Sequence, residues 1–293
     1  MPSHHNENFT IGILGKSKGF LIFNRYFENS VGLALTRFGI LRRATIRPRL
    51  KTHLESVEID RSKRLVRVRF AGREIWFSFD SAAQLDNLII NIFNVFFCEE
   101  YRKLHAEGQP VVDIGSNIGA SALYFLARGA KTVYAYEAYP YSCCIAEKNI
   151  GLNHAGRKIK INNEAVLGKK GTIEVDSSYG NITTSQLHAY KGGRKINIAT
   201  LEKIVSKYSL TNASLKVDCE GSEYDILLNT KSSILRRFNQ IIVEYHFGNA
   251  PLISKLKGAG FRVESTRPRP SRGISACRNG GDMKIGIIYA HRK

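Results

Sequence analysis

Residues 111–120 read VVDIGSNIGA, and these ten positions are the most informative stretch of the chain. The apolar-rich residues 111–114 predict a short strand that runs into a turn at Gly115, after which a helix begins near Ile118. A glycine at the turn lets a ligand approach the backbone closely, and Gly119 lets helix and strand pack together. A strand, a glycine turn and a helix in this order are typical of Rossmann-like folds.

Two acids accompany this turn and indicate a class of ligand. Glu137 follows the next predicted strand and lies 22 positions after Gly115, which matches the acid that binds a ribose hydroxyl in such folds. Asp113 stands directly before the turn, where it would repel a pyrophosphate and suit the cationic methionine end of S-adenosylmethionine (SAM). SAM is therefore the favoured ligand. A dinucleotide, and a Rossmann-like turn that binds no ligand, are the alternatives.

Strands and helices alternate through the rest of the chain, which predicts an α/β fold with a mostly parallel sheet and right-handed crossovers. The predicted strands are residues 111–114, 132–136, 158–166, 214–218, 240–245 and 260–263. The predicted helices are residues 118–128, 141–150, 201–208, 223–228 and 252–257. Residues 171–176 predict a small antiparallel addition, residues 266–281 a loop, and residues 284–289 an antiparallel C-terminal edge strand.

The N-terminal part of the chain predicts a separate α+β extension. Residues 65–70 alternate apolar and basic side chains and are joined by a glycine-containing turn to residues 74–79, a pattern that predicts a β-hairpin. Residues 86–104 carry an apolar face at helical spacing and predict a helix. We therefore expect two domains, a basic N-terminal extension over residues 1–108 and a ligand-binding domain over residues 109–293.

The composition is that of an ordinary globular protein except for its charge. Of 293 residues, 43% are hydrophobic, but 44 Lys and Arg against 25 Asp and Glu give a net charge of +19. This balance excludes a disordered chain, a collagen-like chain and a disulfide-rich miniprotein. Five cysteines with no CxxC pair indicate reduced thiols. Residues 1–10 lack the pattern of a signal peptide, and the most apolar run, residues 88–97, is far shorter than the roughly 20 residues that span a bilayer. We expect a cytoplasmic protein that is not transmembrane, with peripheral membrane contact as an alternative.

Together with residues 111–120, a second motif resembles the sequence of a known protein family. Residues 111–120 look like the first motif of Rossmann-type SAM-dependent methyltransferases, and residues 215–223, LKVDCEGSE, resemble the K-I-D-V-E-G-A-E signature of the FkbM family of methyltransferases. Cys219 and Ser222 replace the commoner Val and Ala of that signature. The resemblance covers roughly residues 64–261. It implies a Rossmann-like methyltransferase sheet with SAM as cofactor.

The resemblance also implies a role for particular side chains. By this carry-over, Asp113, Gly115, Ser116, Asn117 and Gly119 shape the methionine and ribose side of the cofactor site, Glu137 holds the ribose hydroxyls, and Asn163, Glu164 and Ala165 lie near the adenine. Asp218 would lie beside the methionine amine and the transferring methyl group. Glu220 and His246 would face the acceptor, so the expected catalytic residues are Asp218, Glu220 and His246.

Methyl transfer to a hydroxyl requires alignment of acceptor, methyl group and sulfur, and a base that takes the hydroxyl proton. His246 or Glu220 is the expected base, because the ordinary pKa of histidine is about 6.5. A structural, hydrogen-bonded histidine is the alternative. Glu223 is expected to begin the next helix, where a carboxylate complements the helix dipole. We predict no metal, although Asp218, Glu220 and Glu244 offer the oxygen ligands that a divalent cation would take.

The N-terminal residues 15–51 suggest an anionic partner. They carry nine basic residues against one acid, with aromatic residues interleaved, which fits an anionic membrane surface or RNA. A cap with solvated arginines is the alternative. The leading function hypothesis is O-methylation of a sugar or glycan hydroxyl on a free, lipid-linked or phosphate-linked acceptor. An RNA methyltransferase and a non-catalytic SAM-fold binding protein are the competing hypotheses, and no RNA-binding module is recognisable in the sequence.

Overall fold

The computed structural model of the protein describes residues 9–12, 53–176, 191–270 and 283–292. The basic segment 15–51 and residues 271–281 of the predicted loop lie outside the described residues. The described residues form two compact units. The first comprises those up to residue 100 together with residues 151–153, and the second comprises the others. Within the described ranges, no helix is long and apolar enough to cross a membrane.

The first unit is built on a four-stranded antiparallel sheet whose strands follow chain order. Its strands are β1 (Phe9–Gly12), β2 (Leu54–Asp60), β3 (Leu65–Phe70) and β4 (Arg73–Ser78). The predicted hairpin is confirmed, because β3 and β4 pair antiparallel. Ala71 and Gly72 between them both have positive φ, which the commonest two-residue hairpin turn requires. Val66, Val68 and Phe70 of β3 are buried, so the alternation in the sequence corresponds to one buried face.

The helix of this unit starts and ends earlier than the predicted range 86–104. Helix α1 spans Ala82–Ile92 and is capped at its N-terminus by the side chain of Ser81. A π-helical turn, Phe93–Phe97, continues it, and the ring of Phe96 packs edge-to-face on Phe70 and Phe77 of the sheet. The helical run stops because Glu99 takes a left-handed conformation with a φ of 45°, which a right-handed helix does not contain.

The second unit holds the predicted sheet. In chain order, its strands are β5 (Pro110–Ile114), β6 (Thr132–Tyr136), β7 (Ile159–Asn162), β8 (Glu164–Val166), β9 (Gly171–Val175), β10 (Arg194–Ala199), β11 (Ala213–Val217), β12 (Phe238–Tyr245), β13 (Phe261–Ser265), β14 (Arg269–Pro270) and β15 (Lys284–Arg292). The main sheet has the order β13-β15-β12-β11-β5-β6-β7, with β14 paired to β15. All neighbours from β12 to β7 are parallel, which confirms the predicted fold class.

The C-terminal strand is antiparallel, as predicted, but the prediction that it lies at the edge of the sheet is wrong. β15 lies between β12 and β13 and pairs antiparallel with both, so β13 is the outer strand at that side. The chain therefore leaves the sheet edge after β12, forms β13, and returns to fill the gap. Strand order of this kind depends on pairing between distant segments, which the local pattern does not encode.

The predicted strand 158–166 is interrupted in the structure. β7 ends at Asn162 and β8 begins at Glu164, and β8 belongs to a separate three-stranded sheet of order β8-β10-β9. The predicted antiparallel addition is confirmed, because β9 pairs antiparallel with β10. The side chain of Asn163 explains the break, since its amide donates to the backbone carbonyls of Glu137 (3.0 Å) and Ala138 (3.1 Å) and turns the chain away from the main sheet.

Helices cover the strands of the second unit and complete its core. They are α2 (Ala120–Ala127), α3 (Pro140–Leu152), α4 (Leu201–Lys207), α5 (Glu223–Asn229), α6 (Ser232–Leu235) and α7 (Ala250–Gly258). Every side chain of β11 is buried, which is the pattern of a strand that lies inside a parallel sheet. A large buried cluster joins β11 and β12 to α4, α5 and α7. The carboxyl ends of β5, β6 and β11 are thus held on a packed core.

Two phenylalanines test how much stability comes from this core. Phe238 begins β12 and is fully buried, whereas Phe247, just after β12, is 47% exposed. We expect Phe238→Ala to lower the free energy of unfolding by about 3–5 kcal/mol, and Phe247→Ala to change it by less than about 0.5 kcal/mol. Urea denaturation of both variants measures the difference. Equal effects would contradict the assignment of Phe238 to the core.

Candidate active site

The first motif and the second motif meet at the carboxyl ends of neighbouring strands. The backbone N–H groups of Gly115 and Ser116 donate to the carbonyl of Tyr136 at the end of β6, at 3.0 and 3.1 Å. The N–H of Asp218, directly after β11, donates to the carbonyl of Ile114 at 3.1 Å. Three strand ends are therefore joined into one continuous backbone surface, and the predicted residues after β5, β6 and β11 do come together.

Gly115 is required by the protein backbone itself. Its φ is 74°, and a Cβ atom at this position would lie 1.8 Å from the carbonyl oxygen of Asp218. The sequence suggested that this glycine makes room for a ligand, but the close neighbour is the end of β11. Gly119 also differs from its prediction, because a Cβ there would meet Ala146 of α3 at 3.3 Å rather than a strand. Both glycines serve contacts between elements.

Asp113 has partners within the protein that its position in the sequence did not indicate. Its carboxylate is fully buried, where it accepts a hydrogen bond from the Ser121 hydroxyl at 2.6 Å and lies 3.1 Å from the ammonium group of Lys216. The charge that was expected to attract the methionine end of SAM is therefore already paired within the protein. Asp113 contacts Lys216, and Lys216 in turn donates hydrogen bonds to the backbone carbonyls at the glycine turn.

Lys216 is the site residue that the sequence reading did not single out. Its ammonium group donates to the carbonyls of Ile114 (3.1 Å) and Gly115 (2.7 Å) and lies 3.8 Å from the Asp218 carboxylate. Burial alone would lower the pKa of Lys216, but the carboxylates of Asp113 and Asp218 outweigh it, so the pKa is raised and the side chain stays charged. The available signal was a lysine inside an otherwise apolar strand.

Glu137 lies at the end of β6 beside the glycine turn. Its two carboxylate oxygens accept hydrogen bonds from the backbone N–H groups of Asn117 (2.9 Å) and Tyr139 (2.8 Å). Burial raises the pKa of Glu137, and the two N–H donors and Lys216 act in the opposite direction. Asn117 has a φ of 48°, a left-handed conformation that presents its N–H to Glu137. The predicted ribose acid is thus anchored next to the turn.

The remaining predicted cofactor residues differ in their placement. Asn163 contacts the backbone at Glu137, so it belongs to the same region. The Glu164 carboxylate pairs instead with Lys203 at 2.8 Å, and Ala165 is buried in a small core formed mainly by β8, β9 and β10. Ser116 is buried, and its hydroxyl makes no hydrogen bond with any residue that the structure describes. Buried polar groups normally have a hydrogen-bond partner, so this hydroxyl is suited to bind a polar group of a ligand.

The three predicted catalytic residues form one cluster. One carboxylate oxygen each of Asp218 and Glu220 and one ring nitrogen of His246 all lie within 4.8 Å of one another. Asp218 accepts a hydrogen bond from the Tyr101 hydroxyl at 2.8 Å. Glu244, which the sequence analysis also considered, is not part of this group. The prediction that the site binds no metal stays a prediction.

The ring of His246 is held between two carboxylates. Its Nδ1 lies 2.9 Å from Glu223 and its Nε2 lies 3.2 Å from Glu220. Burial lowers the pKa of His246, but hydrogen bonds to these two carboxylates outweigh it and raise the pKa well above its usual value. The carboxylates on both sides of the ring therefore favour its doubly protonated form. Burial raises the pKa of Glu220, against the lowering effect of His246.

Glu223 has a larger part in this cluster than the sequence reading gave it. It is the first residue of α5, as expected for a carboxylate at a helix N-terminus. It is also fully buried and accepts hydrogen bonds from the backbone N–H groups of Gly221 (2.7 Å) and His246 (3.0 Å). The signal in the sequence was the last acid of the motif at residues 215–223.

A glycine turn after β5, an acid after β6 and an acidic loop after β11, on a mostly parallel sheet, define a Rossmann-type SAM-dependent methyltransferase fold. Residues 113–263, just over half of the chain, match the family described as "Methyltransferase FkbM domain". The chain therefore belongs to the FkbM methyltransferase family. This confirms the family, the class and the cofactor, SAM, that the sequence analysis predicted.

The chain is also more distantly similar to other methyltransferases. The ribosomal protein L11 methyltransferase of Carboxydothermus hydrogenoformans is 26% identical over 142 residues, which cover 48% of this chain and 44% of that protein. The match thus spans less than half the length of this relative. The structure of M. capricolum TrmK in complex with S-adenosyl-homocysteine has a TM-score of 0.43 and 12% identity over 68% of each chain. The ribosomal protein L11 methylase of Lactobacillus delbrueckii subsp. bulgaricus has a TM-score of 0.38 and 15% identity, and the match covers 74% of this chain and 82% of that one.

The approach of Gly115 to Asp218 predicts a large cost for any side chain at the turn. We expect Gly115→Ala to lower the free energy of unfolding by about 3 kcal/mol or more, because a clash adds to the strain of a positive φ. Gly260→Ala is the matched control, since Gly260 has a φ of 94° but nothing within 4 Å of a Cβ. It should cost only about 1–2 kcal/mol. Equal costs in urea denaturation would show that the clash is relieved.

The buried ion pair predicts a second difference. Lys216→Met leaves the carboxylate of Asp113 buried without its cation, and we expect a loss of about 3–5 kcal/mol in the free energy of unfolding. Lys203→Met is the control, because Lys203 pairs with Glu164 at the surface, where removal should cost less than about 1 kcal/mol. Thermal and urea unfolding of both variants provide the measurement. A Lys216→Met variant as stable as the control would refute the role given to the pair.

Proposed function

We propose that the protein transfers the methyl group of SAM to a hydroxyl group, and that the acceptor is a sugar or glycan. The observation that carries this proposal is the carboxylate of Glu220, whose burial raises its pKa and which lies 3.2 Å from His246 beside Asp218. A hydroxyl must lose its proton as it is methylated, and a base with a pKa nearer neutrality is suited to take it. The basic segment 15–51 favours an acceptor on an anionic carrier.

The residues of this chain fit SAM in their chemistry. Carboxylates at the ends of β6 and β11, Glu137 and Asp218, suit the ribose hydroxyls and the methionine ammonium group, and the unsatisfied hydroxyl of Ser116 lies between these strand ends in the turn. When bound, SAM supplies an activated methyl group on a sulfonium. Lys216 would hold the turn and Asp218 in register, and Glu220 would receive the acceptor proton. Positioning of this kind supplies much of the acceleration of a transfer reaction.

The charge of the acceptor side favours a hydroxyl of a neutral ring over a phosphate chain. Asp218, Glu220 and Glu223 surround the single imidazolium of His246, so the cluster carries an excess of negative charge. A nucleic-acid backbone would be repelled here. RNA and protein acceptors are nevertheless included in the test, because the relative from Carboxydothermus hydrogenoformans is named for a ribosomal protein.

Calorimetric titration with SAM tests the cofactor site first. We expect wild-type protein to bind SAM and Glu137→Ala to bind at least about tenfold more weakly, because the ribose hydroxyls lose their acceptor. Glu147→Ala on the exposed face of α3 is the matched control and should bind as the wild type does. Failure of the wild type to bind SAM would support a non-catalytic protein.

Transfer of labelled methyl groups then tests the acceptor. Sugars, lipid-linked saccharides, RNA and ribosomal proteins are offered to the wild type in parallel. We expect label in a saccharide hydroxyl, and loss of that label with Glu220→Gln, which cannot take up a proton. If only RNA or only protein becomes labelled, the proposal of a saccharide acceptor is wrong.

A further inference from the structure

We propose that Glu223 is a positioning residue for methyl transfer: it orients His246, and through His246 it holds the carboxylate of Glu220 against the acceptor hydroxyl. This inference rests on the proposed function for its last step. The earlier steps concern only the protein and can be tested without SAM or an acceptor. Glu223 does not touch the acceptor in this arrangement, because its carboxylate is fully buried.

The contacts of Glu223 use both of its oxygens. Oε1 accepts from the backbone N–H of His246 at 3.0 Å and from its ring Nδ1 at 2.9 Å. Oε2 accepts from the N–H of Gly221 at 2.7 Å and from the thiol of Cys219 at 3.8 Å. One buried carboxylate therefore ties the end of β12 to the loop that carries Glu220. Its burial without these donors would be costly, so the four contacts define its geometry.

The contact at Nδ1 determines whether Nε2, the other ring nitrogen of His246, must carry a proton to attract Glu220. With Nδ1 donating to Glu223, a neutral ring would present a lone pair at Nε2, and this would repel the carboxylate of Glu220 at 3.2 Å. The observed approach is favourable when both nitrogens carry protons. Glu223 thus sets both the orientation of the His246 ring and the protonation state that attracts Glu220.

The charged groups around the ring of His246 favour its doubly protonated form. The acidic loop and α5 bring Glu220, Glu223 and Asp218 to the ring, and α5 adds the hydroxyl of Tyr224. From β15, the backbone N–H of Lys284 donates to the carbonyl of His246 at 2.9 Å. Lys216 is the nearby cation and lies against Asp218 at 3.8 Å. The carboxylates outweigh burial and raise the pKa of His246.

His246 neither gains nor loses a proton during the transfer of the methyl group. The acceptor oxygen forms a bond to the methyl carbon as the bond from that carbon to sulfur breaks, and the electron pair of the broken bond stays on sulfur. The hydroxyl proton passes to an oxygen of Glu220. The two ring protons of His246 remain on its nitrogens, where they donate to Glu220 and Glu223. Loss of the Nε2 proton would release Glu220 from its position.

Nitrogen NMR of histidine-labelled protein tests the first part directly. The spectrum of His246→Asn assigns the His246 signal, and the ring signals are followed from pH 5 to pH 9. We expect wild-type His246 to stay doubly protonated at pH 7. In Glu223→Gln the ring should lose a proton at a lower pH than in the wild type, because the amide still accepts from Nδ1 but carries no charge. Glu264→Gln, an exposed acid paired with Lys103, should titrate as the wild type does.

The dependence of methyl transfer on pH tests the second part. In Glu223→Gln the alkaline decline of kcat should begin at lower pH, because the ring loses its Nε2 proton there, while the KM for SAM stays unchanged. At the pH optimum of the wild type we expect kcat to fall roughly tenfold or more. A merely structural role would change stability without moving the alkaline decline.

Several results would overturn the proposal. A neutral wild-type ring at pH 7, or an unchanged titration in Glu223→Gln, would refute the positioning role whatever the acceptor. If Glu223→Gln does not fold, Glu220→Gln replaces it, since removal of either carboxylate should lower the pH at which the ring titrates. Methyl transfer abolished by EDTA and restored by Mg²⁺ would also overturn it, because the carboxylates of Asp218 and Glu220 would then hold a cation and Glu220 would not be the proton acceptor. A failed acceptor screen with the expected NMR result would reject the proposed function alone.

Discussion

The buried ion pair of Lys216 and Asp113 is the interaction on which the site depends. Either group alone would be costly at this depth, and together they join β5 to β11. The ammonium group has further protons, and these go to the carbonyls of Ile114 and Gly115. The conformation of the glycine turn is therefore set by a side chain of the neighbouring strand, and the absence of a Cβ at Gly115 lets the end of β11 close against it.

The polar network continues from this pair to the cluster around His246, where acidic side chains predominate. Around the turn, the charge of Asp113 is matched by Lys216. Beyond Asp218, the carboxylates of Glu220 and Glu223 lie on either side of the His246 ring, so carboxylates outnumber basic side chains in this cluster. In the function proposed above, this surface would favour a cationic cofactor and a neutral hydroxyl over a polyanion. Both halves are assembled from strand ends, as is usual for open α/β sheets.

Much of this arrangement was predictable because it is local in the chain. The strand, turn and helix at residues 111–120, the acid at Glu137 and the acidic loop after β11 follow from short patterns and fixed spacings. The break between β7 and β8 was missed because it depends on Asn163, whose amide binds the backbone at the end of β6. The insertion of β15 beside β12 was missed for the same reason: both features are decided by pairing between distant segments.

The sequence by itself determined the family, the cofactor class and which acids stand at the strand ends, because these are written in motifs a few residues long. Only the tertiary structure decided what those acids do. Asp113 pairs with Lys216, and the carboxylates of Glu223 and Glu220 raise the pKa of His246. The physical reason is that the protonation of a buried group depends on its distance to other charges and on its removal from water, and both arise only when separate elements pack together.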